Sequence, residues 1–263
     1  MFTLLRKIRK SIVGSGSIFK ATSPTARYLL YALGEIVLVV LGILIALQVN
    51  NWYAHKKNML LEQSFLERLK TDLVVDTTYL NERIQHSEIV KEQNYSFVHK
   101  AYENLNPNRN LNDYISIPMF SSEDLTMQNS TYMELLNTGK IDLIRNENLK
   151  IHIIELYHNY ESVDKKMQEI NEFTTDLWQE WNKKVVNIKY REYVSDLFDQ
   201  TNMFNSNERK WFNDPKSFEF RLTENTIAWY YAKHKIFIDH FNSLLDDAET
   251  VLDLINEEMN KLQ

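Results

Sequence analysis

Glu155 and His158 stand three residues apart, the spacing at which one helical face presents a carboxylate and an imidazole to a di-iron or di-manganese centre. Such a centre needs a second Glu-x-x-His pair and two further carboxylates projecting inward. No other histidine in the chain follows an acid by three residues, and Glu155 and His158 lie off the apolar stripe through Leu156 and Tyr160. No metal site is expected. His234 falls inside an apolar stripe; its expected role is a hydrogen-bonded core residue, the alternatives being a ligand or a proton-responsive switch. Trp178, Trp181, Tyr190, Tyr193, Trp211, Phe212, Trp229, Tyr230 and Tyr231 gather the aromatics late in the chain. They are expected to fill a bulky core, with a ligand pocket or an interfacial patch as alternatives. Phosphate-binding glycine loops, paired-histidine zinc motifs and local nucleophile signatures are absent from the sequence. With no cysteine there is no disulfide framework, thiolate ligand or thiol nucleophile. The reading is that this is not an enzyme and needs no cofactor.

The remaining chemistry-bearing residue is Glu35, the one charge in the run from Tyr28 to Leu47. Twenty helical residues cover ~30 Å, the thickness of a bilayer's hydrocarbon core. A carboxylate deep in such a span costs ~2.5 to 3.5 kcal/mol and marks pairing or an ion path. The alternative places the hydrocarbon span at residues 36–52, leaving Glu35 among the headgroups near Arg27. Arg27 and Trp52 then serve as interfacial anchors. Glu35, Gly42 and Ala46 share one helical face, and Gly42-x-x-x-Ala46 is a spacing that lets two membrane helices approach. Self-association through that face and small residues merely facing lipid both remain open.

Arg6, Lys7, Arg9, Lys10, Lys20 and Arg27 precede the apolar run, with no acid among residues 1–27. Basic residues stay cytoplasmic, so the expected orientation is N-terminus inside, with the rest of the chain in a bacterial periplasm. The run is too long for a cleaved signal peptide, and Gln48, Asn50, Asn51 and Trp52 suit an interfacial exit. Setting aside those six bases and Glu35 from 30 basic and 36 acidic residues leaves 24 and 35, a net of −11. Such an acidic surface repels phosphate backbones, so nucleic-acid partners are not expected.

Three regions follow: a basic cytoplasmic segment over 1–27, a transmembrane helix over 28–52 and an extracytoplasmic domain over 53–263. Met1, Leu4, Leu5, Ile8 and Ile12 would share the lipid face of a short surface helix, or the segment is an unstructured basic flank. No proline or glycine occurs from Val49 to Asn106, so the spanning helix is expected to run on. Leu66, Leu69, Leu73, Thr77, Leu80 and Ile84 form its seam, and Asn106, Pro107, Asn108 and Asn110 end it. A shorter helix is expected over Asp124–Asn137, stopping at a left-handed Gly139.

Asn146 is expected to cap a third helix with Leu149, Ile153, Leu156, Tyr160, Val163, Met167, Ile170, Leu177 and Trp181 on one stripe. Residues 195–214 read as a loop with some local helix, and Asp214-Pro215 as the start of the last helix. That helix carries Ile227, Tyr230, His234, Phe237, Phe241, Leu244, Ala248, Leu252, Ile255, Met259 and Leu262. The expected fold is all-α: one N-terminal transmembrane helix followed by an elongated antiparallel helical bundle.

Gly34-Glu35-Ile36, followed by Gly42-Ile43-Leu44-Ile45-Ala46-Leu47-Gln48-Val49-Asn50-Asn51-Trp52, resembles the signature of an uncharacterised domain-of-unknown-function family of bacterial single-pass inner-membrane proteins. Thr138-Gly139-Lys140-Ile141-Asp142-Leu143-Ile144-Arg145-Asn146 resembles that family's second signature. The resemblance implies an inner-membrane protein with no assigned catalytic residues. The functional expectation is a membrane-anchored envelope protein whose periplasmic bundle is a structural or protein-interaction module. Its partners would be the bilayer and a second copy of itself or another envelope protein. The alternative is a ligand-sensing receptor ectodomain signalling through a separate membrane partner.

Overall fold

The computed structural model describes residues 24–103, 117–185 and 206–262. Among them the chain is all-α, with no strand. Helix α1 spans Pro24–Glu103, α2 Ser130–Asn137, α3 Glu147–Lys184 and α4 Phe218–Leu262, with short 3-10 turns at Ile117–Phe120, Lys140–Leu143 and Ser206–Asn213. Two compact units divide the chain, Met1–Met59 and Leu60–Gln263.

In the first unit most described side chains of the helix are exposed. Leu29, Ile36, Val39, Ile45 and Trp52 are exposed by more than half, and no residue of the most apolar 18-residue window is buried. By length and composition this stretch suffices to cross a membrane. The absence of proline and glycine after Gly42 explains why α1 continues unbroken into the second unit. The expected surface helix over Met1–Ile12 and the stop at Asn106–Asn110 lie outside the described residues.

In the second unit the seam of α1 keeps alternating steps of four and three. Glu62, Leu66, Leu69, Leu73, Asp76 and Leu80 are buried, and after half-buried Arg83 and Ile84 the seam resumes with Ser87, Val90, Asn94, Phe97 and Ala101. Asp76, not Thr77, occupies the seam; Thr77 is half-buried and turns its hydroxyl to Val74 O. One apolar cluster joins Leu66–Leu80 of α1 to Leu135, to Leu149–Met167 of α3 and to Phe237–Ile255 of α4. A second joins Phe97, Met119, Phe220 and Ile227.

Helix α3 begins where its cap requires, Asn146 Oδ1 accepting from Leu149 N–H at 3.2 Å. Gly139, at φ +64°, turns the chain out of α2, where a side chain would be strained. Two expected starts are corrected. Helix α2 begins at Ser130, not Asp124, because the backbone groups of Glu123, Asp124, Thr126 and Gln128 bond side chains of α1 and α3 instead of one another. Helix α4 begins at Phe218: Ser217 Oγ accepts from Phe220 N–H at 3.2 Å, while Asp214 Oδ1 caps the preceding turn through Lys216 N–H.

The α4 stripe is buried from Ile227 to Ala248 and at Ile255; Leu252 and Met259 are half-buried, and Val251 takes the inward position. Leu262's side chain lies outside the description.

Candidate functional site

The membrane-helix residues picked from sequence are all on the exposed stretch. Glu35 and Ala46 face outward, and a Cβ built on Gly42 meets nothing within 4 Å. Trp52 is 65% exposed with the Lys56 ammonium 5.7 Å from its ring centre. Arg27 lies in the helix, its side chain outside the described residues. Glu155 and His158 are exposed. Among the described residues no group of three or more His, Asp or Glu side chains is placed to hold a metal ion.

Trp181, Phe212 and Tyr230 are fully buried, and Phe120 stacks on Trp181 with its edge to Tyr230. Trp181 Nε1 donates to Thr223 Oγ1 at 2.8 Å. Trp178, Trp211 and Tyr231 are half-buried, and Trp229 is exposed against Phe173. Tyr190 and Tyr193 lie outside the described residues.

A polar layer separates the two apolar clusters, and His234 is at its centre. His234 is fully buried; Nδ1 lies 3.2 Å from Ser87 Oγ and Nε2 3.4 Å from Ser121 Oγ. Ser87's one hydroxyl proton goes to Glu123 Oε1 at 2.9 Å, so its oxygen accepts from Nδ1–H and Nε2 accepts from Ser121. Burial, helped by the neighbouring Lys233 charge, pushes His234 down to about 3, so the ring is neutral.

Glu123 is buried to its carboxylate, with His86 Nδ1 at 2.7 Å, His234 Nδ1 at 3.8 Å and Arg83 Nε at 4.0 Å. Lys233, also fully buried, donates to Ser122 Oγ, Asn171 Oδ1 and Thr174 Oγ1 at 3.3, 3.2 and 3.4 Å, its ammonium 4.4 Å from the Tyr230 ring centre. Burial draws its pKa down to about 8, opposed by Glu123 and Asp124. Charged and hydrogen-bonding groups sealed between apolar layers fix which residues of three helices stand opposite one another.

The non-helical strap 121–129 is tied along its length. Asn171 Nδ2 donates to Glu123 O at 2.8 Å, Tyr79 hydroxyl donates to Asp124 O, and Tyr157 hydroxyl donates to Gln128 O at 3.1 Å. Asp76 Oδ1 accepts from Gln128 N–H at 2.8 Å.

A second corner explains the segment 138–146. Glu62, fully buried, accepts from Arg145 N–H at 2.9 Å and from Arg145 Nε–H at 2.8 Å. The next residue, Asn146, caps α3 with its oxygen and donates through Nδ2 to Glu258 Oε2 of α4 at 2.8 Å. Two adjacent residues thus tie three helices.

Glu62, Asp76, Glu123 and Lys233 escaped the sequence reading. For the two on α1 a signal existed: each is an acid at a seam position of a continuous three-four repeat.

The chain matches the model of the family of unknown function DUF6090 over residues 35–187, more than half its length. It belongs to that family. The match begins at Glu35 and takes in Glu62, Asp76, Glu123, Arg145 and Asn146; Lys233, His234 and Glu258 on α4 fall beyond it. No curated protein and no solved structure matches the chain.

Proposed function

We propose that this DUF6090 member is a single-pass protein of a bacterial inner membrane. Its N-terminus is cytoplasmic, and its periplasmic helices form an antiparallel bundle that serves as a structural or protein-interaction module. The observation that carries the reading is the stretch from Leu29 to Trp52, whose large apolar side chains are mostly exposed among the described residues. Exposed apolar surface on that scale is stabilised by lipid and unfavourable in water. The six bases before it and none of the acids supply the orientation.

The order of contacts supports the antiparallel bundle. Asn146 meets Glu258, Asn159 meets Asp247 and Trp181 meets Thr223, so positions rising along α3 pair with positions falling along α4. The groove between Phe97, Val98, Tyr102, Phe220, Thr223 and Glu224 amounts to about 210 Å³, open space included.

The test is membrane topology. A reporter active only in the periplasm should work when fused after Gln263 and fail when fused before Met1. The protein should resist alkaline extraction, and Val40→Arg with Leu44→Arg, each costing ~2.5–3.5 kcal/mol in the bilayer, should release it. Extraction of the unaltered protein by alkali, or the opposite reporter pattern, refutes the reading. Contact between two copies through the Glu35, Gly42 and Ala46 face belongs to the same proposal: Gly42→Ile should weaken a crosslinked dimer.

A further inference from the structure

Asp76 is 1% exposed and sits on the α1 seam between Leu73 and Leu80, where a buried charge has no water to stabilise it. One carboxylate oxygen accepts from Gln128 N–H of the strap. The other, Oδ2, is buried with no partner, as is Asp72 Oδ2 one turn earlier. Across from them Tyr160, 5% exposed on α3, has a buried hydroxyl with no partner either, and Asp76 is the strongest charge acting on it.

Several elements face Asp76. Its own helix presents Asp72; the strap presents the neutral Gln128 amide. Helix α3 presents Tyr157 and Tyr160, α2 presents Tyr132 stacked on Tyr157, and α4 presents Asp247 toward Tyr160. Among the described residues neither Asp72 nor Asp76 has an ion pair, and the charges beside Asp76 are all of its own sign. A second ionised carboxylate here is opposed by burial and by Asp72 together.

The geometry points to Asp76 as a proton-operated latch: the folded chain holds a proton on it, and loss of that proton frees the strap around Gln128 from α1. Burial first, then Asp72, push Asp76 from 3.8 up to about 7, against the pull of the Gln128 N–H bond. The sign follows from linkage. The closed strap binds the proton more tightly than the open one, so closure is favoured most at low pH. That preference is lost progressively from about 4 upward and is gone above about 7.

The experiment is hydrogen exchange on the full chain in detergent micelles from pH 5 to 8, corrected for the intrinsic exchange rate. In the unaltered protein the opening constant of residues 124–129 should rise up to tenfold per pH unit until about pH 7 and then level off. Asp76→Asn keeps the acceptor for Gln128 N–H and carries no charge, so its opening constant should be flat. Asp72→Asn removes the like charge, so its rise should level off at lower pH. Equal pH profiles for the unaltered protein and Asp76→Asn overturn the proposal. If Asp76→Asn does not fold, infrared spectra of the unaltered chain labelled with 13C-aspartate decide. A protonated aspartate band present at pH 6 and lost by pH 8 supports the latch, and absence of that band at pH 6 refutes it.

Discussion

The Glu62–Arg145 tie permits a quantitative test of what the segment 138–146 does. Arg145→Met keeps the backbone N–H bond to Glu62 Oε1 and removes the guanidinium bond to Oε2. A hydrogen bond to a charged group contributes ~1.5–3 kcal/mol. The Arg145 side chain is 45% exposed, so water replaces part of what is lost and the cost falls at the low end, about 1.5 kcal/mol. Glu62→Ala removes both bonds and leaves the Arg145 N–H without its acceptor, which adds ~1–3 kcal/mol for a total of about 3–4. In a unit of this size each kcal/mol moves the melting temperature by ~2–4 °C. Circular-dichroism melts of the compact unit 60–263 should therefore fall by about 3–6 °C for Arg145→Met and by roughly twice that for Glu62→Ala. The double variant should melt close to Glu62→Ala alone, because the guanidinium's bond is already gone. Full additivity, or an unchanged melt for Arg145→Met, would show that the pair contributes nothing and that the tie is Asn146's alone.

Three further outcomes are expected in the same melts. Phe241 is fully buried with its ring 6.1 Å from Phe237, so Phe241→Ala should cost ~3–5 kcal/mol, while exposed Glu249→Ala stays within about 0.5 kcal/mol. Gly139→Ala places a Cβ in open space but at φ +64°, so strain alone should cost ~1–2 kcal/mol; a neutral effect would refute the left-handed turn. Ser217→Ala should cost about 1 kcal/mol and Asp214→Ala less, and the reverse order would move the start of α4 back to Asp214.

The helices were legible because their apolar residues repeat at the helical period over many turns, and Gly139 and Asn146 because glycine and asparagine announce particular backbone states. The strap was not. No proline or glycine stands between Pro118 and Gly139 to break a helix, and only the acceptors and donors waiting on Asp76, Tyr79, Tyr157 and Asn171, far away in sequence, draw residues 121–129 out of one. Asp214-Pro215 was read as the start of the last helix, but Ser217, three residues later, is the residue whose hydroxyl reaches a helical N–H. His234 was read correctly as a hydrogen-bonded core residue. Its neighbour Lys233 was passed over, because a lysine beside a stripe ordinarily reaches for solvent, and only Ser122, Asn171 and Thr174 converging on its ammonium hold it inside.

The corner at Arg145 and Asn146 also dictates an order of events during synthesis. Its three parties, Glu62, the Arg145–Asn146 pair and Glu258, stand 83 and 112 residues apart along the chain. A ribosome releases Glu62 long before Glu258, so the nascent chain waits with the inner faces of α1 and α3 uncovered until nearly all of α4 has been made. Long-separation closures of this kind form late and leave apolar surface at risk in the interval. The last helix therefore sets the moment at which the newborn protein stops being a target for chaperones and proteases.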